Sequence, residues 1–314
     1  MASIVPADTL AYGIQLPIQS QSTLYVEPWE ADAGGAELKE IARVADAAGF
    51  LYIGVCDHVA IPRQLAGAMS TIWYDTFTTL GFLASVTQRV RLLSHVAIPA
   101  YRHPLVDAKQ VMTLDALSEG RAIYGVGAGH VQAEFETFGV PFDERGKVLD
   151  EALDVIDLAL REEFVTWHGE RFDIDDMGLQ PRPVQSPRPP IWVGGWKGPA
   201  LRRVVERGDG WLPQGIGREE TRAKIEEIKR LRDATGKEPL ELGCLTEPLY
   251  IGDPDFDVGQ RTMTGKGAAI GESLREWADM GCSHLQVRFR SRSVSELTDQ
   301  MELFAQEALP ALTT

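Results

Sequence analysis

The sequence predicts a (β/α)8 barrel, and two observations carry that expectation. Short apolar runs alternate with amphipathic helical patterns in one series of eight pairs, and polar residues gather at the C-terminal ends of those runs. Eight alternating pairs match a barrel, whereas a doubly wound open sheet needs fewer strands and shows a topological break.

The first strand is expected over Ala11–Leu16 and its helix over Ala36–Ala48, where Leu38, Ile41, Ala42, Ala45 and Ala48 recur at helical spacing. Phe50–Val55 reads as the second strand, with a helix over Asp75–Thr87. Val90–Ile98 and Leu105–Leu117 form the third pair, and Arg121–Val126 and Glu144–Leu160 the fourth. The rhythm then breaks over about residues 162–189, where "EEFVTWHGERFDIDDMGLQPRPVQSPRPP" is rich in Pro and Asp and has no helical period. Because the alternation resumes at once, the stretch reads as an insertion with a hairpin around Gly169, inside one domain spanning residues 1–314. Ile191–Gly194 is the fifth strand and Pro199–Glu206 its helix. "DGWLP" is the sixth, before a strongly amphipathic helix over Glu219–Ala234. Leu240–Ile251 and Gly267–Met280 form the seventh pair, and "HLQVRF" and Val294–Ala308 the eighth.

Composition narrows the function. The 314 residues are 44% apolar and 25% charged, normal for a globular protein, and acids outnumber bases 46 to 31 for a formal charge of −15. That balance argues against nucleic acid or an anionic membrane as the main partner and leaves a small molecule, anionic or not, held by local donors. Cys56, Cys244 and Cys282 share no close spacing, so they read as reduced thiols of a cytoplasmic protein, without a zinc pattern or disulfide framework. "MASIVPADTLAYGIQLP" lacks the basic region and continuous apolar core of a signal peptide, and no run has the length of a membrane span.

In a barrel the C-terminal strand ends share one face, where the chemistry belongs. The second strand delivers Asp57 and His58 there, and the third Ser94, His95 and Val96 and then Tyr101, Arg102 and His103. The fourth delivers "GVGAGH", the fifth "GGWK" and the sixth Gln214. Thr246 and Glu247 come from the seventh, Arg288 and Arg290 from the eighth. Glycines at 127 and 129 let the backbone approach a ligand, and the helical segment from near Val131 aims free N–H groups at an anion. The alternative is that they only permit a tight strand-to-helix turn, which suffices for Gly125. Gly194 and Gly195 carry the same two readings. The G-x-G-x-G spacing after a fourth strand does not fit a dinucleotide fingerprint, no G-x-S-x-G is present, and "TGKGAA" lacks the full P-loop pattern. His58, His95 and His130 invite a metal reading, but the first, fifth and sixth strands supply no histidine ligand, so no metal is expected. His58 is the candidate general acid/base. His103 reads as a helix cap, and His168 and His284 as surface or strand residues without a role. Trp73, Tyr74 and Trp196 are candidates for a substrate-pocket wall, with ordinary loop packing as the alternative.

The combination "RHP…AK…TLD.LS.GR…GVGAG…E", together with "VCDHVAIP", "PRPVQSPRPPIWVGG" and "RGDGWLP", resembles the bacterial luciferase-like superfamily. Within it the chain is most similar to the deazaflavin-dependent oxidoreductases that use coenzyme F420. The resemblance runs from "YGIQLP" to "MGCSHLQVRF". It implies a deazaflavin or flavin ring across the barrel mouth, a non-proline cis peptide at His95–Val96 behind that ring, and Asp57–His58 beside it. It places the cofactor's phosphate contacts on Gly127, Ala128, Gly129 and the following helix start at His130, and on Gly194–Gly195. The sugar-phosphate dehydrogenases of the group carry a glutamate where this chain has His130, so their acid/base scheme does not transfer unchanged; His130 is kept as a second catalytic candidate. The implied activity is hydride transfer between F420 and a small organic substrate by a homodimer. The alternatives are an FMN-dependent monooxygenase fed by a partner reductase, and a non-catalytic flavin-binding protein.

Overall fold

The computed structural model describes residues 3–5, 9–23 and 26–313, so the leading segment is described only in part. Eight parallel strands close into a barrel: β1 (Ala11–Gln15), β2 (Tyr52–Val55), β3 (Arg91–Ser94), β4 (Ala122–Val126), β5 (Ile191–Val193), β6 (Gly210–Trp211), β7 (Glu241–Leu245) and β8 (His284–Val287). Each strand pairs with its neighbour in sequence, and β8 closes onto β1 through Ala11–His284 and Ile14–Val287. The helices that follow are α1 (Gly35–Ala47), α2 (Thr76–Ala84), α3 (Pro104–Leu117), α4 (Arg145–Arg161), α5 (Gly198–Arg207), α6 (Arg218–Asp233), α7 (Gly267–Asp279) and α8 (Val294–Leu303). Their apolar stripes, such as Leu38, Ile41, Ala42 and Ala45 on α1, pack on the outer strand faces. No helix among the described residues is long and apolar enough to cross a membrane.

The barrel closes because large rings on some strands meet glycines on the next. Tyr52, Leu93, Ile123, Trp192 and Leu212 fill the interior. A Cβ on Gly13 would lie 2.4 Å from the Tyr52 ring, and one on Gly210 2.4 Å from Trp192. His284 points inward too, fully buried, stacked 4.2 Å from Trp192 over the space left by Gly243. It therefore lies on a strand, one of the two positions the sequence suggested, and its side chain belongs to the barrel core. The interior is a packed plug, which leaves the mouth for ligands.

Parts of the family-like motif turn out to be architecture. Buried Asp115 accepts hydrogen bonds from Val184 N (2.8 Å), Gln185 N (3.0 Å) and Gln185 Nε2 (2.7 Å), tying α3 to the segment that re-enters the barrel. Arg121 donates to Thr87 Oγ1, Val90 O, Ala84 O and Thr87 O, stapling the start of β4 to the α2–β3 turn. Between α4 and β5 an antiparallel hairpin of Phe164–His168 and Asp173–Gly178 stands outside the barrel.

Among the boundaries that differ from expectation, those of the seventh strand, the third strand and the closing helix have a structural consequence. The seventh strand ends at Leu245; after Glu247, Pro248 cannot donate to a ladder, and Leu249–Ile251 instead pairs in parallel with Met263–Gly265 outside the barrel. The third strand ends at Ser94, and beyond it Ala97 makes a single bridge to Val126. The closing helix continues past Leu303 through a π-helical turn, Phe304–Ala308, into Leu309–Thr313.

Candidate active site

β2 carries Cys56, Asp57 and His58 onto the C-terminal face. Asp57 is buried and fully engaged: Arg102 donates Nη1 and Nη2 to its two oxygens at 2.7 and 2.6 Å, and Ile98 N donates at 2.9 Å. Asp107 sits behind the same guanidinium at 3.7 Å; burial, offset only in part by Arg102, pushes its carboxyl up to about 7. Arg102 itself is held above its ordinary value by Asp57 and Asp107, which together outweigh its burial. With both oxygens used, Asp57 acts on the mouth by clamping the segment after β3, which carries the cis peptide His95–Val96.

His58 is gripped from the other side. Its Nδ1 lies 2.7 Å from Glu134 Oε2, a carboxylate that also accepts from Tyr101 Oη (3.1 Å), Val59 N (2.9 Å) and Ala60 N (3.1 Å). Burial alone would raise the Glu134 pKa; the His58 contact and the two amides outweigh it and hold it below the ordinary value. An ionised Glu134 favours the Nδ1–H tautomer of His58 and leaves Nε2 outside that contact. Trp73 packs edge-on against the His58 ring at 4.4 Å, and the His130 ring stands 5.4 Å away. Desolvation, and next the neighbouring His58, hold the His130 pKa below its usual value.

Across the mouth, β4 and β5 end in bare backbone. Among the described residues, the amides of Ala128, Gly129 and His130, and those of Gly195, Trp196 and Lys197, donate to no protein acceptor. Two neighbouring rows of unpaired N–H groups suit an acidic group. The glycines themselves answer to packing. A Cβ on Gly127 would lie 2.6 Å from Val96 Cγ2, and one on Gly129, where φ is +72°, 2.6 Å from the Phe135 ring. Packing alone therefore accounts for the residue type at both positions. Gly194 is spent on Val126 O through its N–H (2.8 Å).

His95 is buried, its pKa lowered to about 4 by desolvation, so it is a neutral ring near Gln214 Nε2 at 3.4 Å. Tyr74 is exposed, and Trp196 is half-buried, packed against the core after β5. His103 caps α3 through Leu105 N. No group of three or more His, Cys, Asp or Glu among the described residues is arranged to hold a metal ion.

Sequence reasoning gave Glu134, Tyr101 and Arg102 no role. Glu134 had a visible signal, a carboxylate placed between Val131 and Phe135 on the face that buries them. Arg102 was visible as the Arg of "RHP", but its contact was not, since Asp57 lies 45 positions away.

The structure is thus a parallel (β/α)8 barrel with a carboxylate-held histidine and two rows of unpaired amides at the C-terminal ends of its strands. Within that class the chain belongs to the luciferase-like monooxygenase family, whose model matches residues 11–257. It is 33% identical over 221 residues to the Mycobacterium tuberculosis protein Rv0940c, covering 66% of this chain and 75% of that one. Its fold is that of the coenzyme F420-dependent tetrahydromethanopterin reductase of Methanopyrus kandleri, at TM-score 0.74 and 19% identity over 96% of this chain and 99% of that one. The same fold occurs in the oxygenating constituent of 3,6-diketocamphane monooxygenase of Pseudomonas putida in complex with FMN, at TM-score 0.79 and 15% identity over 96% and 98%.

Proposed function

We propose that this chain is an oxidoreductase that transfers a hydride between coenzyme F420 and a small organic substrate, with His58 carrying the accompanying proton. The observation that supports this most directly is the His58–Glu134 pair. Taking a hydride from a carbinol carbon, or delivering one to a carbonyl, requires a proton to leave or reach the oxygen, and a histidine with one nitrogen fixed on a buried carboxylate does that work. When bound, the deazaflavin supplies a ring carbon that gives or accepts the hydride.

In this reading the amides of Ala128, Gly129 and His130, with those beginning at Gly195, hold the cofactor's acidic tail, while Gly127 and Gly194 keep the two strand ends close. His95 and Val96 back the ring, and His95 contributes a neutral surface there. Trp73 covers His58 and limits water at its ring. His130, whose ring lies 5.4 Å from that of His58, would be the second proton carrier, between His58 and solvent.

The FMN-bound neighbour supports a second reading on the same cradle, an FMN-dependent monooxygenase supplied with reduced flavin by a partner reductase. Equilibrium titration of the apoprotein with F420 and with FMN, followed by anaerobic turnover with reduced F420 and aerobic turnover with reduced FMN, separates the two. Binding of FMN alone, with turnover only in air, overturns the F420 reading; turnover that survives His58→Ala removes the proton-carrier role.

A further inference from the structure

We propose that Tyr101 is a positioning residue for His58: acting through Glu134, it weakens the carboxylate's hold on the His58 proton. The consequence for catalysis rests on the hydride-transfer reading; the contact itself does not.

Tyr101 and Arg102 are consecutive, at the end of the single 3-10 turn Pro99–Tyr101 that follows β3. They hold consecutive residues at the end of β2. Arg102 binds Asp57 directly at 2.7 and 2.6 Å, whereas Tyr101 reaches His58 through Glu134. Tyr101 Oη and His58 Nδ1 meet the same oxygen, Glu134 Oε2, at 3.1 and 2.7 Å. Val59 N and Ala60 N donate to the other oxygen. An ionised carboxylate can only accept, so the phenol is the donor to Oε2. Burial, and next the charge of Glu134, raise the pKa of the Tyr101 hydroxyl, so it keeps the proton it donates.

Two donors on one oxygen share its charge. A carboxylate with four donors is a weaker base than one with three, and a weaker base stabilises a neighbouring imidazolium less. Tyr101 therefore makes His58 release its proton more readily than Glu134 and the two amides would alone. This effect belongs to the hydroxyl and not to the ring. The ring is packed separately, edge-on to Phe135 at 4.9 Å and 5.1 Å from Phe138, and a phenylalanine keeps both contacts. The other titratable or charged groups around the cluster are His130, with its ring 5.4 Å from that of His58, and the Asp57–Arg102 ion pair on the Tyr101 side. Tyr101→Phe alters none of them.

The test reads His58 directly in the full chain and needs no cofactor. With the six histidines labelled, the His58 ring signal is assigned by its loss in His58→Ala and followed by NMR against pH. The midpoint of that titration should lie higher in Tyr101→Phe than in the unaltered protein by about 0.5–1 pH unit, part of the worth of one hydrogen bond to a charged group. With Glu134→Gln already present, Tyr101→Phe should leave the midpoint in place. A midpoint that is unchanged or lower in Tyr101→Phe overturns the proposal, even if Tm falls, because a merely structural role moves only Tm. An equal rise in the Glu134→Gln background overturns it too, since Tyr101 would then act by another route. Should the double variant fail to fold, the single comparison decides. On the hydride-transfer reading, the limb of the kcat/KM–pH profile that reports His58 should move with the midpoint. If the midpoint rises and the profile does not follow, the role of Tyr101 stands and the proton-carrier role of His58 falls.

Discussion

Glu134 Oε2 lies 2.7 Å from His58 Nδ1, and the carboxylate that makes this contact has no exposed surface. A buried carboxylate is retained only where its partners compensate its desolvation, and here the compensation comes from one imidazole, one phenol and two amides. The pair is therefore directional, with the carboxylate setting which His58 nitrogen carries the proton.

His58→Ala should lower kcat/KM by about 10²- to 10⁴-fold, the usual contribution of general acid–base catalysis, and should also lower Tm, because the buried Glu134 carboxylate loses a partner that offsets its desolvation. Glu134→Gln should lower it by at least about tenfold and also lower Tm, because the replacement cannot accept from all four donors. Glu134→Asp should recover part of the activity. Full activity in Glu134→Gln, measured by steady-state kinetics, would show that the carboxylate is only a structural staple.

Arg102 holds two buried carboxylates, so its removal should be worse than the loss of an ordinary surface ion pair. Arg102→Ala should destabilise the fold by about 3–5 kcal/mol in chemical denaturation, and Arg102→Lys should recover little, since one ammonium cannot replace two parallel N–H bonds to Asp57. A loss below about 1 kcal/mol in Arg102→Ala would contradict the clamp.

Acid should weaken the fold through two core histidines. His95 and His284 have pKa values lowered to about 4 and about 3, desolvation being the leading cause in both. Between pH 6.5 and about 4 the unfolded chain binds these protons and the folded one does not, so stability falls as pH falls. Above pH 6.5 both states are neutral and the effect vanishes. Each histidine contributes on the order of 3–5 kcal/mol across its window. Tm measured from pH 7 to pH 4 should drop less in His284→Phe than in the parent, with the ring stack on Trp192 kept; parallel curves would refute the assignment.

The glycines divide by surroundings. Gly127→Ala and Gly129→Ala should each cost about 1–3 kcal/mol, the first by collision with Val96 and the second by collision with Phe135 at φ +72°. Gly198→Ala, at the start of α5 with nothing within 4 Å of a new Cβ, should be neutral or stabilising by up to about 1 kcal/mol. Thermal melts of the three variants check the order.

How much of this was legible in the chain depends on range. Periodicity is a local property, so the eight strands, their helices and the residues at the strand ends could be read off, and with them Asp57, His58, His95 and the two glycine loops. The family resemblance reached further, placing the cis peptide at His95–Val96, where the structure has it. The departure of Leu249–Ile251 from the barrel was hidden, because an apolar run looks alike whichever strand it pairs with. Glu134 reaches His58 across 76 positions and Arg102 reaches Asp57 across 45, and no local pattern encodes such a meeting. The residue types were thus written along the chain, while ring closure alone decided which of them share a solvent-poor mouth. There, contact and desolvation turn an ordinary glutamate into the partner that sets a histidine's tautomer.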